Sequence, residues 1–74
     1  MIYHAMEKKV QRIREEYPPG TRLQVDHMDD PYKPIPPGTQ GTVDFVDDAG
    51  QIHMLWEGGR TLALIPGIDR FHKI

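Results

Sequence analysis

Apolar and polar positions follow two different periods along this chain. Ile2, Met6, Val10, Ile13 and Tyr17 recur at steps of four, four, three and four, which gathers them on one face of an α-helix. Glu7, Lys8, Lys9, Gln11, Arg12, Arg14, Glu15 and Glu16 occupy the remaining surface of that helix. Tyr17-Pro18-Pro19-Gly20 ends it, because the residue before a proline is driven out of helical geometry and Pro19 has no amide to continue the ladder. Beyond this point the period drops to two. In Thr21–Met28, Leu23 and Val25 alternate with Arg22, Gln24 and Asp26, which predicts a first strand.

The richest alternation lies between Gly38 and Arg60. Val43 and Phe45 alternate with Thr42 and Asp44, and Ile52, Met54 and Trp56 alternate with His53 and Leu55. Asp47-Asp48-Ala49-Gly50 separates the two runs, with aspartates that bond back to nearby amides and a glycine that supplies positive φ. The pattern predicts a β-hairpin with Val43, Phe45, Ile52, Met54 and Trp56 facing inward. Trp56 has a second reading, as an exposed aromatic contact. Glu57-Gly58-Gly59-Arg60 forms a further turn, Thr61–Leu64 restarts the alternation as a fourth strand, and Ile65–Asp69 turns into a last strand carrying Phe71. One helix over residues 1–17, packed on about five short strands in residues 18–74, predicts a mainly β single domain laid out as a small barrel.

Between the first strand and the hairpin stands Asp29-Asp30-Pro31-Tyr32-Lys33-Pro34-Ile35-Pro36-Pro37-Gly38. Its prolines forbid regular structure while holding the backbone extended and stiff. Such a loop reads either as a binding element, with Asp29, Asp30, Tyr32 and Ile35 as an apolar anchor beside a charged rim, or as a bridge whose Tyr32 and Ile35 tuck over the core.

Charge sharpens the picture. The net charge is -2 over 74 residues, but from Thr21 to Gly59 only Arg22 and Lys33 face Asp26, Asp29, Asp30, Asp44, Asp47, Asp48 and Glu57. Acidic loops argue against binding nucleic acid through that region, since phosphate contacts dominate such affinity. Lys8, Lys9, Arg12 and Arg14 of the helix, with Arg70 and Lys73 of the tail, leave a nucleic-acid reading open elsewhere. The chain has no cysteine, so neither a disulfide framework nor a thiolate metal site is available, and burial or self-association must stabilise so small a domain. No run is apolar enough to span a bilayer, and charges interrupt the N-terminal segment where a signal peptide needs an apolar core, which predicts a cytoplasmic protein.

Catalytic chemistry is not indicated. The chain has neither serine nor cysteine as a nucleophile, and His4, His27, His53 and His72 show no metal-ligand spacing. His53 alternates with inward residues and is expected on the solvent face. The pairs Asp29–Asp30 and Asp47–Asp48 could serve as paired carboxylates, but adjacent turn residues point apart and each pair has a turn explanation; the Asp47–Asp48 turn also lacks the ligand count calcium requires. No cofactor and no metal is expected.

The segments Tyr17-Pro18-Pro19-Gly20-Thr21-Arg22, Met28-Asp29-Asp30-Pro31-Tyr32, Pro37–Val43, Val46–Ile52, Trp56-Glu57-Gly58-Gly59 and Leu64–Phe71 resemble a bacterial domain family of unknown function. Its members are short proteins, largely from Gram-positive bacteria and their phages and mobile elements. Glu57-Gly58-Gly59 departs from the Asp-Asn-Gly turn expected there. More loosely, the glycine-led strand, hairpin and Trp56 are similar to SH3-like barrels, which implies a small SH3-like five-stranded barrel. The leading expectation is therefore a non-enzymatic module that engages a protein partner through Asp29, Asp30, Tyr32 and Ile35. Nucleic-acid binding through helix and tail is a second reading, and a homo-oligomer packed through the helical stripe a third.

Overall fold

Helix α1 spans Ile2–Glu16, and its last turn closes with the Tyr17 amide bonded to the Ile13 carbonyl at 2.8 Å. The computed structural model describes residues 2–74 in backbone and 6–74 in side chain, so the side chains of Ile2 and His4 lie outside the described residues. Pro18 ends the helix as the sequence requires. Its carbonyl accepts both the Thr21 amide and the Thr21 hydroxyl, at 3.1 and 2.7 Å, which turns the chain toward the sheet. Val10 is buried at the centre of the apolar stripe, Ile13 and Tyr17 pack partly buried beside the core, and Met6 is 54% exposed. Among the described residues of the stripe, the sheet thus covers those from Val10 onward.

The sheet is built from four strands: β1 (Arg22–His27), β2 (Gln40–Val46), β3 (Ile52–Trp56) and β4 (Arg70–Lys73). They run antiparallel in the order β3-β2-β1-β4, with the last strand returning to pair with the first. α1 lies on the hairpin end of β2. There Gly50 sits under the helix, and a β-carbon at that position would come within 3.3 Å of Ile13.

Two irregularities shift the phase of the alternation. Val43 pairs with Met54 and Phe45 with His53, so Asp44 is an extra residue in β2, and Asp26 is likewise extra where β1 passes from Val25 to His27. A bulge turns the residues beyond it to the other face. Phe45, expected in the core, is consequently 47% exposed and stacks on His53 with centroids 4.3 Å apart, while Val46 takes the inward position.

The pattern predicts about five strands, but the segment after β3 does not form one. Leu64 makes an isolated bridge to Ile52, with both bonds at 2.8–2.9 Å, while the Leu62 carbonyl accepts the Trp56 indole N–H at 2.7 Å. A carbonyl turned to an indole is withdrawn from a ladder, so the alternation of 61–64 yields a bridge in place of a strand. The sheet is open between β3 and β4. Its inner face, closed over by Met28, Ile35 and Leu64, holds Leu23, Val25, Val43, Ile52, Met54 and Trp56, all nearly inaccessible. Burying each large aliphatic side chain contributes about 1.5–3 kcal/mol. No helix among the described residues is long and apolar enough to cross a membrane.

Candidate functional site

The proline-rich loop is held at several points along its length. At its start, the Asp29 amide donates to Asp69 Oδ1 at 2.8 Å, and Asp69 Oδ2 accepts the Ile65 amide, also at 2.8 Å. In its middle, the Asp30 carboxylate accepts the Tyr32 amide at 3.0 Å, a short side-chain turn of the kind aspartate favours. The Arg60 guanidinium reaches across to the Lys33 and Pro34 carbonyls. Deeper, Ile35 donates its amide to the Met28 sulfur at 3.3 Å, and at the far end Gly38 donates to the Val25 carbonyl at 2.7 Å.

These ties sort the predicted residues into two groups. Ile35 is 1% exposed and belongs to the core, as in the reading of this loop as a bridge over the core, and its amide is donated to the sulfur of buried Met28. Tyr32 is 92% exposed, with its ring outside on a backbone that Asp30 and Arg60 hold in place. Asp29 is exposed and Asp30 half-buried, and both residues line a shallow cleft of about 210 Å³. Met28, Pro31, Leu62, Ala63 and Ile65 supply its apolar lining. Asp69 also lines it, with both oxygens taken by backbone amides.

The cleft walls and the clamps escape a reading by period alone. Asp69 closes the turn Ile65-Pro66-Gly67-Ile68-Asp69, and an aspartate placed four residues after an amide it can accept is the one local signal available. Nothing in the alternation marks Arg60 or Leu62 as neighbours of a loop some thirty residues earlier.

The basic candidates are dispersed. Arg14 donates to Asp48 at 2.8 Å and to the Val46 carbonyl at 3.3 Å, and Lys73 lies 5.2 Å from the centre of the Tyr17 ring. Lys8, Lys9 and Arg12 are exposed on α1 and Arg70 on β4.

The histidines His53 and His72 are each tied to a single carboxylate. His53 Nε2 lies 2.8 Å from Asp47 Oδ2, and His72 Nδ1 lies 2.9 Å from Asp26 Oδ2. Asp47 also accepts the Ala49 and Gln51 amides, so the His53 hydrogen bond first, and those amides after it, hold its carboxyl below the ordinary range. Asp48, its neighbour, points away to Arg14. Among the described residues no three histidine or carboxylate side chains are grouped to hold a metal ion.

Neither the curated proteins nor the solved structures include one that matches the chain. A family model does match over residues 6–74, across the helix and the whole sheet, and the chain therefore belongs to the family described as a domain of unknown function, DUF4314.

Proposed function

We propose that this protein is a non-enzymatic binding module that engages a protein partner through Asp29, Asp30 and Tyr32 at the edge of the small cleft. The observation that carries the reading is Tyr32. The ring is 92% exposed, and the backbone that carries it is tied at Asp29, Asp30, Lys33 and Pro34. A backbone already held lowers the ordering cost of association, and tyrosine is among the residues that dominate interface energetics. The apolar lining of the neighbouring cleft, which Asp29 and Asp30 also line, suits a segment with an apolar side chain followed by a basic one.

The same reading includes an SH3-like architecture. The return of β4 to β1 supports it, with the Leu64 bridge standing where a further strand would close a barrel.

Panning a displayed random-peptide library on the full chain tests the site. Selected peptides should lose at least about tenfold in affinity for Tyr32→Ala and for Asp30→Asn, the latter keeping the oxygen that caps the loop, with Tm unchanged in both. A fall in Tm that accompanies the loss of binding would make these residues structural and overturn the site. Retention on DNA or RNA at low salt with a steep salt dependence, and no peptide selected, would overturn the reading in favour of nucleic acid.

A further inference from the structure

β4 ends the sheet with one side unpaired, since the strand order β3-β2-β1-β4 leaves it bonded to β1 alone. β1 divides its backbone groups between its two neighbours in alternation. Val25 turns to the β2 side, its amide donating to the Thr39 carbonyl at 2.9 Å and its carbonyl accepting the Gly38 amide at 2.7 Å. Arg22 and Gln24 therefore face β4, and the Ile74 amide donates to the Arg22 carbonyl at 3.2 Å. Gln24 stands opposite His72, so His72 bonds to β1 while the amides and carbonyls of Phe71 and Lys73 point away from the sheet. Among the described residues no other backbone group bonds to them.

The same edge is basic. Arg70 and Lys73 are exposed, and among the described residues neither is in an ion pair, whereas Arg14 is paired with Asp48 and Arg22 with Glu57. On β1 the Asp26 carboxylate is engaged by His72 at 2.9 Å. Lys73 lies 5.2 Å from the centre of the Tyr17 ring, and Tyr17 meets half-buried Phe71 edge-on at 5.6 Å, so a cation and an apolar spot stand side by side.

We propose that β4 receives an extended acidic strand of a partner protein, added antiparallel through the backbone groups of Phe71 and Lys73. An open edge is a template for strand pairing, and its side chains decide which strand is accepted. Two copies of β4 would bring two arginines and two lysines to one short seam, so the charges that disfavour self-pairing favour an acidic segment. Phe71 and Lys73 share one face of the strand and Arg70 lies on the other. The strand that fits carries an acidic residue opposite Lys73, any residue opposite His72, an apolar one opposite Phe71 and an acidic one opposite Arg70. This edge is separate from the loop carrying Tyr32.

NMR titration of the full chain with a blocked hexapeptide of threonine, glutamate, threonine, valine, glutamate and threonine, taken to about 5 mM, tests the proposal. Before peptide is added, the amides of Phe71 and Lys73 should exchange with solvent at least about tenfold faster than that of His72. With peptide, both should shift and gain protection. Arg70→Glu and Lys73→Glu should each weaken binding at least about tenfold with unchanged circular dichroism, as should lysine in place of the peptide's glutamates. Methylating the first glutamate and the valine amides, which face β4, should abolish binding, and methylating the amide of the threonine between them should not. Tyr32→Ala should leave the affinity unchanged. No shift at Phe71 and Lys73, equal binding of the lysine peptide or of the peptide methylated on its facing amides, or a loss with Y32A overturns the proposal. Protection of the same two amides that rises with protein concentration alone puts a second copy on the edge and overturns the acidic partner, as does a DNA oligonucleotide that shifts them where the peptide does not.

Discussion

The buried Asp69 carboxylate accepts the amide of Asp29 at 2.8 Å, joining the start of the proline-rich loop to a turn forty residues later. Its second oxygen closes its own turn at Ile65. Asp69→Ala leaves two amides without their acceptor, and each such loss costs about 1–3 kcal/mol. The Tm of D69A should fall by on the order of 10 °C or more in a thermal melt. Asp69→Asn keeps one acceptor and should fall by less.

Ile35 and Tyr32 lie three residues apart and should behave oppositely. Ile35→Ala removes a core side chain and should cost about 2–5 kcal/mol in urea unfolding. Tyr32→Ala removes a ring that is almost wholly in solvent and should change stability by no more than about 0.5 kcal/mol. A large loss for Y32A would place the ring against the fold.

Gly41 is required for space. A β-carbon there would lie 2.6 Å from the Trp56 ring and 2.9 Å from the Leu55 carbonyl. Because Trp56 is buried and its indole N–H is held by Leu62, the ring has little freedom to retreat. Gly41→Ala should therefore destabilise by about 1–3 kcal/mol, with a change in tryptophan fluorescence as Trp56 is displaced.

The hairpin turn should be sensitive to acid. Asp47 is held below the ordinary carboxylate range by His53 and by the Gln51 and Ala49 amides. The unfolded chain, with an aspartate pKa of about 3.9, then binds the proton before the folded chain does, so this contribution is complete well above pH 4 and is lost as pH falls through the depressed folded value. Asp47→Asn should be less stable than the wild type at pH 6, and the gap in urea midpoint should narrow as pH falls from about 4 toward 2.5. A gap independent of pH would contradict the assignment.

Trp56→Phe separates the indole hydrogen bond from aromatic burial. Losing the bond to the Leu62 carbonyl should cost about 1 kcal/mol plus the packing of the missing ring atoms, and amide exchange in 61–64 should quicken.

Periodicity determined the elements whose signal is local. The steps of Val10, Ile13 and Tyr17 specify the helix face, Pro18 its end, and the alternation around Leu23, Val25, Ile52, Met54 and Trp56 the strands that carry them into the core. Side-chain direction within a helix or a regular strand comes from backbone geometry alone, so a single pass along the chain suffices. The candidate loop was legible as a stiff segment carrying Asp29, Asp30 and Tyr32, because proline restricts the backbone wherever it stands. Tertiary structure decided the rest. The extra residues Asp26 and Asp44 leave no mark in composition, yet each reverses the facing of the residues beyond it, which is why Phe45 lies outside. Ile35 became core and Leu62 left the sheet because Met28 sulfur and the Trp56 indole compete for their backbone groups, a competition settled only when those partners arrive in space. Asp69 and Arg60 acquire their roles across forty and about thirty residues of chain. A side chain that serves a distant amide carries no local pattern, and only the closed fold supplies its partner.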